Sequence, residues 1–284
     1  GKTVLITGAS SGIGRAAALK LADAGAVVLL VSRTEAKLRE VQAEVERDGG
    51  IAHVYPTDLD EHAEIDAMVK RVLTDHGHVD ILVNNAGKSI RRSLELSYDR
   101  FFDFERLMRT NYFGPLRLIM DLLPSMREHR RGHIINVSSI GVQTNPPRFS
   151  AYVASKAALD AWTKIAATET LGDQVTFTTI HMPLVRTPMI APTKIYDSLP
   201  TISPEQAAEM ICEAARTKPK HIGTGLGTFG EVSYALMPKA VDQILHMGYK
   251  VFPDSAAARG KKDPKEAASA EQVAFGYLMK GVHW

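Results

Sequence analysis

Tyr152 and Lys156 stand four residues apart in a stretch of helical spacing, so the phenol and the ammonium would share one face of a helix. An ammonium beside a phenol favours the phenolate, so we expect Lys156 to lower the pKa of Tyr152 from its usual value of about 10. Ser139 follows an apolar, β-branched run earlier in the chain and adds a hydroxyl donor. The three side chains predict general acid–base chemistry near neutral pH. A Tyr-x3-Lys pair also arises by chance on helix surfaces, so its surroundings must decide.

A glycine-rich turn, residues 7–14 with the sequence TGASSGIG, joins the first apolar run to the first helical pattern. Glycines permit a tight turn and a close approach of the backbone to a pyrophosphate, and the helix N-terminus that follows offers free N–H groups. The turn therefore predicts a dinucleotide-binding loop, although an ordinary strand-to-helix turn would need no ligand. The residues expected to contact the dinucleotide here are Gly8, Ser10, Ser11, Gly12, Ile13 and Gly14.

The end of the second apolar run indicates which dinucleotide is bound. Sheets that bind NAD usually place an acidic residue here for the ribose hydroxyls, whereas this chain has Ser32 and Arg33. A guanidinium suits a 2′-phosphate through charge-assisted hydrogen bonds, so we expect NADP, bound as NADPH in a reduction, with Ser10 and Arg15 assisting. A solvated arginine at a helix start is the alternative interpretation of Arg33.

The third and fourth apolar runs end in further candidate contacts. Asp58, followed by Leu59, is placed to accept a hydrogen bond from the adenine amino group, and capping of the next helix is an equal alternative. The fourth run ends in Asn85, Ala86 and Gly87, where small and amide side chains fit a nucleotide that lies across the strand ends. Turn bonding by asparagine would explain the same residues without a ligand.

Strand-length apolar runs alternate with longer helical patterns as far as about residue 217, and the pattern over residues 98–129 predicts one long helix. This alternation predicts an α/β fold with a parallel sheet, helices on both faces and right-handed crossovers. After residue 236 the alternation stops, although helical spacing continues. We therefore expect one domain over residues 1–253, followed by a polar tail, residues 254–284, that contains the short apolar segment VAFGYLM.

Composition excludes several kinds of protein. The 284-residue chain has 34 Lys and Arg against 32 Asp and Glu, so its overall charge gives no argument for nucleic-acid binding. Its single cysteine, Cys212, is expected to be buried. One cysteine can build neither a disulfide framework nor a cysteine-based metal site. We predict no metal site. This cysteine usage fits a reducing compartment, so we expect a cytoplasmic protein. The longest apolar run, at residues 24–31, is far shorter than the roughly 20 residues of a membrane span.

The motifs together resemble the short-chain dehydrogenase/reductase family. The resemblance rests on TGASSGIG at 7–14, NNAG at 84–87, RTNYFG at 109–114, Ser139, and YVASK at 152–156, and it covers roughly residues 1 to 220. It implies a Rossmann-type, doubly wound sheet of seven parallel strands in the order 3-2-1-4-5-6-7. It also implies a catalytic tetrad of Asn111, Ser139, Tyr152 and Lys156.

The resemblance implies a role for each member of this tetrad. Tyr152 would give a proton to the substrate carbonyl oxygen, and Ser139 would hydrogen-bond that oxygen. Lys156 would bind the nicotinamide ribose. Tyr152 and Lys156 are therefore both expected to contact the cofactor as well. Asn111 would hold a water in the proton relay through an irregularity in its helix, with local helix bonding as the alternative.

The segment HMPLVRTPM, residues 181–189, follows the sixth strand, where the family usually carries Pro-Gly before a valine and a threonine. Pro183, Val185 and Thr187 fit that pattern, so the resemblance implies that they hold the nicotinamide carboxamide. Leu184 replaces the usual glycine and leaves open whether the backbone takes a positive φ there, which leucine disfavours.

Longer stretches, residues 87–114, 138–162 and 181–208, are similar to bacterial fatty acyl-CoA reductases, both the single-domain form and the C-terminal domain of the alcohol-forming enzymes. This similarity implies NADPH-dependent reduction of a fatty acyl-CoA thioester to an aldehyde through a hemithioacetal that expels coenzyme A. Two alternatives stay open: an NADPH-dependent ketone or aldehyde reductase of the same family, and a non-catalytic nucleotide-sensing or scaffold protein.

The expected substrate site has a charged and an apolar part. Arg91 and Arg92 are predicted to bind coenzyme A phosphates, with Arg148, Arg186 and Lys194 as further candidates and solvated loop charges as the alternative. An acyl groove is predicted under a lid at about residues 188–203, lined by Met189, Tyr196 and Phe149, with ordinary core packing as the alternative.

Partners beyond the fatty acyl-CoA substrate are expected as well. The resemblance implies a homo-oligomer, because members of the family commonly form dimers and tetramers by helix packing. The helical segment past Leu236 and VAFGYLM are expected to pack on a second subunit or within the domain. Extension of the acyl groove, a membrane surface and a partner domain are the alternatives. The start at Gly1 fits either a trimmed protein or one domain of a larger two-domain reductase.

Overall fold

The structure is a computed structural model that describes residues 1–190, 200–252, 254 and 258–259. The predicted groove residue Tyr196, the candidate Lys194 and the apolar segment VAFGYLM lie outside the described residues. Two of the predictions above, the middle of the lid and the C-terminal segment, therefore stay predictions.

The described residues form one sheet of seven parallel strands in the order β3-β2-β1-β4-β5-β6-β7, which confirms the predicted doubly wound Rossmann-type fold. The strands are β1 (Thr3–Thr7), β2 (Val27–Ser32), β3 (Ile51–Pro56), β4 (Ile81–Asn84), β5 (Gly132–Val137), β6 (Val175–Ile180) and β7 (His221–Ile222). The helices are α1 (Gly12–Asp23), α2 (Glu35–Arg47), α3 (His62–His76), α4 (Phe101–Met108), α5 (Gly114–Glu128), α6 (Gly141–Thr144), α7 (Ser150–Glu169), α8 (Pro204–Thr217), α9 (Gly225–Leu236) and α10 (Pro238–Val251).

Both faces of the sheet are buried, because successive strand residues point to opposite faces and helices cover each of them. Leu30 of β2 packs in the core beneath α1, α2 and α8, whereas its neighbour Leu29 packs in the core beneath α3, α5 and α7. Near-continuous apolar strands are what such a two-sided core requires.

The order of the strands fixes where a ligand can bind. β1 pairs with β2 on one side and with β4 on the other, so the direction in which the sheet grows reverses at β1. In sheets of this type a crevice opens beyond the carboxyl ends of the strands at the reversal, and ligands bind there. The glycine-rich turn, the loop after β4 and the end of β5 all lie at this edge.

The helical pattern predicted over residues 98–129 is confirmed over residues 101–128, and it contains the irregularity that the resemblance implied near Asn111. The chain forms α4, then a π-helical turn at Arg109–Phe113, then α5. Pro115 lacks the N–H that a regular α-helix would donate to the carbonyl of Asn111, so the helical hydrogen bonding must change its spacing here. Gly114 admits the close approach of the Leu59 carbonyl, which would lie 2.5 Å from a Cβ at this position.

The helix α9 was not predicted from the sequence. It packs on α6, where Gly227 and Gly230 lie against the side chains of Gln143 and Thr144. None of the helices in the described ranges combines the length and hydropathy that a membrane span requires.

Candidate active site

The glycine-rich turn closes tightly at the carboxyl end of β1. Gly8 and Gly12 have positive φ angles of 67° and 51°, which other residues rarely adopt. A Cβ on Gly14 would overlap the carbonyl oxygen of Gly8 and lie 2.7 Å from the side-chain nitrogen of Asn85. The backbone therefore requires glycine at all three positions.

The first turn of α1 leaves its backbone donors uncapped. Ser11 is the N-cap residue, but its side chain accepts no hydrogen bond from the helix, and the first turn has no acidic residue. The free N–H groups and the positive end of the helix dipole suit a pyrophosphate. Ser10 and Ile13 are half-buried and Ser11 is exposed at the rim of this turn. These residues therefore fit the phosphates of a dinucleotide.

Asn85 secures the turn to the end of β4. Its Nδ2 donates to the Thr7 carbonyl oxygen at 3.0 Å, and the backbone N–H groups of Asn85 and Ala86 both donate to Thr7 Oγ1 at 3.0 Å. These bonds support the turn-bonding interpretation of Asn85. Direct contact between Asn85 and a dinucleotide stays a prediction.

The end of β2 carries the residues predicted to select the nucleotide. The Arg33 side chain is 63% exposed and lies 3.9 Å from the Asp58 carboxylate, a solvent-exposed pair of little strength. The hydroxyl oxygen of Ser32 is buried and has no hydrogen-bond partner among the described residues. A phosphate-bearing ribose fits both observations. Arg15, expected to assist, instead forms an ion pair with Glu44 of α2.

Asp58 does not cap the helix that follows it. The N-cap of α3 is Glu61, and Asp58 Oδ1 accepts a hydrogen bond from the backbone of Asp60 at 3.0 Å. The capping alternative for Asp58 is therefore wrong. The Leu59 side chain is buried in the core beneath α3 and α5, so only its backbone could meet an adenine.

The segment after β6 returns to the glycine-rich turn. Val185 forms a β-bridge with Ile202, and a Cβ on Gly12 would lie 3.2 Å from Thr187 Cγ2, so Thr187 lies beside the turn. Pro183 and Val185 are buried. Leu184 is not among the residues with positive φ, so leucine fits this backbone without strain.

Three segments meet at Lys156. Its Nζ donates to the carbonyl oxygen of Val137, at the end of β5, at 2.8 Å. A Cβ on Gly87 would lie 3.3 Å from Lys156 Nζ and 3.2 Å from Asn111 Oδ1. The loop after β4, the π-helical turn and α7 thus converge, and only glycine leaves room between the lysine and the asparagine.

The Asn111 side chain holds the loop after β4. Its Oδ1 accepts from the Lys88 N–H at 2.9 Å, and its Nδ2 donates to the Lys88 carbonyl at 2.8 Å and to Ser155 Oγ at 2.9 Å. The Asn111 backbone carbonyl, which loses its usual α-helical donor at Pro115, is a candidate to hold a water. The water-holding role of Asn111 stays a prediction.

The expectation of a Tyr152 pKa below its usual value is wrong for this arrangement. Burial raises the pKa of Tyr152 above its ordinary value, a hydrogen bond with Ser139 opposes that shift, and Asp160 adds to it. Tyr152 keeps some contact with solvent, which limits the shift. Burial also lowers the pKa of Lys156 to about 8, and its ammonium bonds to Val137. The phenol is therefore protonated at neutral pH, the form that can donate a proton in a reduction.

Ser139 keeps its hydroxyl hydrogen out of its bond with the backbone. Its Oγ accepts from the Gly141 N–H at 3.0 Å, at the start of α6. Because the oxygen acts as the acceptor in this bond, the O–H can donate to a substrate oxygen. Ser139 and Tyr152 thus offer two donors at the same end of the sheet.

A buried polar cluster beside Lys156 was not found from the sequence. Asp160 lies one turn further along α7, and its Oδ2 accepts from Ser138 Oγ at 2.9 Å and lies 3.1 Å from His181 Nε2. The signal was present in the spacing, because Tyr152, Lys156 and Asp160 recur every four residues on one helix face.

The arginines predicted to bind phosphates are engaged within the protein. Arg92 is ion-paired with the buried Asp103, and Arg91 donates to a carbonyl just past α10 at 3.2 Å. Arg148 is only 6% exposed and lies 3.4 Å from Asp254. Phosphate binding at these positions would require the contacts to open, so the roles of Arg91 and Arg92 stay predictions.

Two of the predicted groove residues are described. The Phe149 ring centroid lies 6.2 Å from that of Tyr152, so Phe149 does border the proposed proton donor. Met189 is 51% exposed on the segment after β6. Arg186, which is exposed, donates to Thr201 Oγ1 at 3.1 Å.

The described residues place neither a reactive cysteine nor a cluster of metal-binding side chains at this edge. Cys212 lies near Gly1 and Lys2, at the amino end of β1 and so opposite the crevice, and it is half-buried rather than fully buried as expected. Burial raises the pKa of its thiol, which disfavours the nucleophilic thiolate. Within the described ranges no group of His, Cys, Asp and Glu side chains could hold a metal ion.

Comparison with known proteins agrees with this geometry. A fatty acyl-CoA reductase of Acinetobacter baylyi is 50% identical over 284 residues, which span 100% of this chain and 95% of that protein. A metagenomic short-chain oxidoreductase solved in complex with NADP is 34% identical, with a TM-score of 0.66, over 75% of this chain and 90% of that one. The 3-ketoacyl-(acyl-carrier-protein) reductase of Brucella melitensis, solved with NADH, is 29% identical, with a TM-score of 0.71, over 78% and 96%.

A family profile described as short chain dehydrogenase matches residues 2–195, more than half of the chain. The family consists of oxidoreductases that use nicotinamide cofactors, in keeping with the glycine-rich turn and the Ser139–Tyr152–Lys156 arrangement. The chain belongs to the short-chain dehydrogenase/reductase family.

Proposed function

We propose that the protein reduces the thioester of a fatty acyl-coenzyme A to a fatty aldehyde with NADPH, releasing coenzyme A. The observation that carries the substrate class is the 50% identity, along the whole chain, to a fatty acyl-CoA reductase. Ser139, Tyr152 and Lys156, gathered at the carboxyl edge of the sheet, support the reaction type.

The first half of the reaction needs a proton donor at the carbonyl oxygen. NADPH, when bound, supplies the hydride for the carbonyl carbon. Tyr152 donates its proton to the oxygen as negative charge develops there, and the O–H of Ser139 donates a hydrogen bond to the same atom. The Lys156 ammonium, buried nearby, stabilises the phenolate that Tyr152 becomes.

The second half needs the same oxygen to lose a proton. The hemithioacetal re-forms a carbonyl as its C–S bond breaks, and the Tyr152 phenolate takes back the hydroxyl proton. Coenzyme A leaves as the thiolate and is protonated by water. No acyl-enzyme is required, which agrees with the position of Cys212 away from the crevice.

We infer a preference for NADPH over NADH from the end of β2. The exposed Arg33 guanidinium has only a long contact to Asp58 and can turn to a 2′-phosphate. The buried, unpartnered Ser32 hydroxyl can serve the same group. The solved relative with NADP supports this choice, while the relative with NADH indicates that the fold admits both.

The test is an assay of purified protein with NADPH against acyl-CoA of graded chain length. We expect NADPH oxidation, free thiol and fatty aldehyde to appear in equal amounts, and Tyr152→Phe to lose nearly all of this activity while binding NADPH normally. Thiol release without aldehyde, or an active Tyr152→Phe protein, would contradict the mechanism.

A second candidate is an NADPH-dependent ketone or aldehyde reductase. The likeness to a 3-ketoacyl-(acyl-carrier-protein) reductase favours it, because the same donors would serve a carbonyl without a leaving thiolate. The two candidates separate in the same assay, since a ketone or aldehyde reductase oxidises NADPH without releasing any thiol.

Assembly and location are part of the proposal as well. Large apolar side chains are exposed on α4 and α9, among them Phe101 at 71% and Leu236 at 74%, which supports a homo-oligomer or contact with a membrane surface. The single domain over residues 1–253 and membership of a larger two-domain reductase stay predictions, and size-exclusion chromatography with light scattering tests the homo-oligomer.

A further inference from the structure

Beneath the proposed proton donor lies a buried acid that the reaction itself does not use. Asp160 is 5% exposed and Lys156 is 6% exposed, and the two lie one turn apart on the inner face of α7. A buried ammonium is costly unless a negative charge compensates it. The Val137 carbonyl bonded to Lys156 supplies a dipole but no charge.

Asp160 is fixed in place by two neighbouring strands. Ser138, just past β5, donates its hydroxyl to Oδ2 at 2.9 Å, and His181, just past β6, has Nε2 at 3.1 Å from the same oxygen. The other oxygen, Oδ1, is buried and has no hydrogen-bond partner among the described residues. The carboxylate is therefore held rigidly, and one of its oxygens is not satisfied by a bond of its own.

The groups that face Lys156 identify Asp160 as its counter-charge. On α7 these are Tyr152 and Asp160, whereas His181, just past β6, contacts Asp160. The segments from β4, β5 and the π-helical turn contribute Gly87, a backbone carbonyl and the amide of Asn111, none of which is charged. His181 Nδ1 is buried and has no hydrogen-bond partner among the described residues.

We propose that Asp160 is a positioning residue: its buried carboxylate keeps Lys156 charged and in place beside Tyr152. Ser138 and His181 act through it by fixing the carboxylate. Burial lowers the pKa of Lys156 to about 8, and Asp160 already opposes part of that fall. The inference rests on the proposed function only in taking Lys156 as part of the reduction.

The direct test needs neither substrate nor cofactor. Protein labelled with ¹³C-lysine is titrated by NMR, and the Lys156 signal is assigned by its absence in Lys156→Arg. In Asp160→Asn, which keeps the shape of the side chain, we expect the Lys156 midpoint to fall by at least about one pH unit. An unchanged midpoint would overturn the inference, whatever the substrate proves to be.

Two controls separate charge from packing. Ser138→Ala removes a hydrogen bond to Asp160 but keeps the charge, so it should move the midpoint less than Asp160→Asn does. Asp48→Asn removes an acid that is 65% exposed and should not move it at all. If Ser138→Ala shifted the Lys156 midpoint as far as Asp160→Asn does, the effect would come from packing and the inference would be wrong.

A further measurement uses the wild-type protein, so a substitution that disturbs folding cannot affect it. The Asp160 side-chain ¹³C signal must be that of a carboxylate at pH 7 and must respond to the titration of Lys156. A protonated Asp160, or an Asp160 signal that does not change as Lys156 titrates, would overturn the inference. With substrate available, the alkaline fall of kcat/KM should move to lower pH in Asp160→Asn, which a loss of stability alone would not produce.

Discussion

The Arg148 guanidinium lies over the ring of Tyr249, 4.0 Å from its centroid, and its Nε lies 3.4 Å from the carboxylate of Asp254. Arg148 precedes Phe149, the neighbour of Tyr152, whereas Tyr249 and Asp254 belong to α10 and the chain after it. The carboxylate of Asp254 also accepts from the Ser93 N–H at 2.9 Å. The end of the described chain is thus fastened to two loops beside the active site.

Asp254→Asn should loosen this attachment. It leaves the nearly buried Arg148 charge without its acidic partner, and breaking a buried pair costs about 3 kcal/mol. We expect faster hydrogen exchange at the Ser93 amide and a higher KM for acyl-CoA. Asp242→Asn, an exposed acid on α10, is the matched control. Unaltered exchange at Ser93 would show that the attachment contributes nothing.

Gly14→Ala should abolish cofactor binding. The new methyl group would overlap the Gly8 carbonyl and crowd Asn85, so the turn must change shape. We expect the affinity for NADPH, measured by fluorescence titration, to fall at least about tenfold, equivalent to about 1.4 kcal/mol. Gly172→Ala has open space around it and should bind NADPH as the wild type does. Normal binding by Gly14→Ala would remove the turn from the cofactor site.

Arg33→Ala should weaken NADPH and leave NADH unchanged. A charge-assisted hydrogen bond to a phosphate contributes about 1.5–3 kcal/mol, so the KM for NADPH should rise about 10- to 100-fold. Arg39→Ala, which removes a similarly exposed arginine on α2, is the control and should alter neither value. Equal losses for both cofactors in Arg33→Ala would contradict a role in selecting the 2′-phosphate.

Features of the site that depend on residues close together in the sequence could be predicted, whereas features that depend on distant residues could not. The glycine-rich turn and the Tyr152–Lys156 pair are local patterns, set by backbone geometry and by helix period, and the structure contains both. The π-helical turn near Asn111 had a local signal in Pro115, whereas the apolar spacing continues across it without a change.

Contacts between segments that are far apart in the sequence could not be predicted. Asp160 receives its bonds from residues 22 and 21 positions away, and Asp254 reaches Ser93 across 161 positions. No periodicity within one segment can specify such pairs. The pKa of Tyr152 was misjudged for the same reason, because it is raised by burial and by Asp160, which only the folded structure reveals.

The rate should fall at alkaline pH with a midpoint near the pKa of Lys156. Since burial sets that pKa at about 8, the ammonium is lost as the pH rises through this value. The profile of kcat/KM for NADPH reports ionisations of the free enzyme and should show this fall. Lys156→Arg keeps its charge far above pH 8, so its remaining activity should lack the alkaline fall. The same fall in both proteins would assign it to another group.

His133 should make the fold sensitive to acid. The ring is buried between β5 and β6, with Nδ1 2.8 Å from Thr176 Oγ1, and burial lowers its pKa from 6.5 to about 4. Above pH 6.5 the ring is neutral in both states, so its burial costs no ionisation. Between pH 6.5 and about pH 4, His133 is protonated in the unfolded chain but stays neutral in the folded chain. The free energy of unfolding therefore decreases as the pH drops through this range.

The full loss should approach about 3 kcal/mol, from a pKa difference of roughly 2.5 units. Urea midpoints at pH 7, 5 and 4 measure it, and His133→Gln, which cannot be protonated, should flatten this part of the pH dependence. His221→Gln, at an exposed position on β7, should keep the wild-type slope. If His133→Gln loses stability with acid as steeply as the wild type, the loss belongs to carboxylates such as Asp80, whose pKa is lowered by bonds to Thr3 and Lys2 despite its burial.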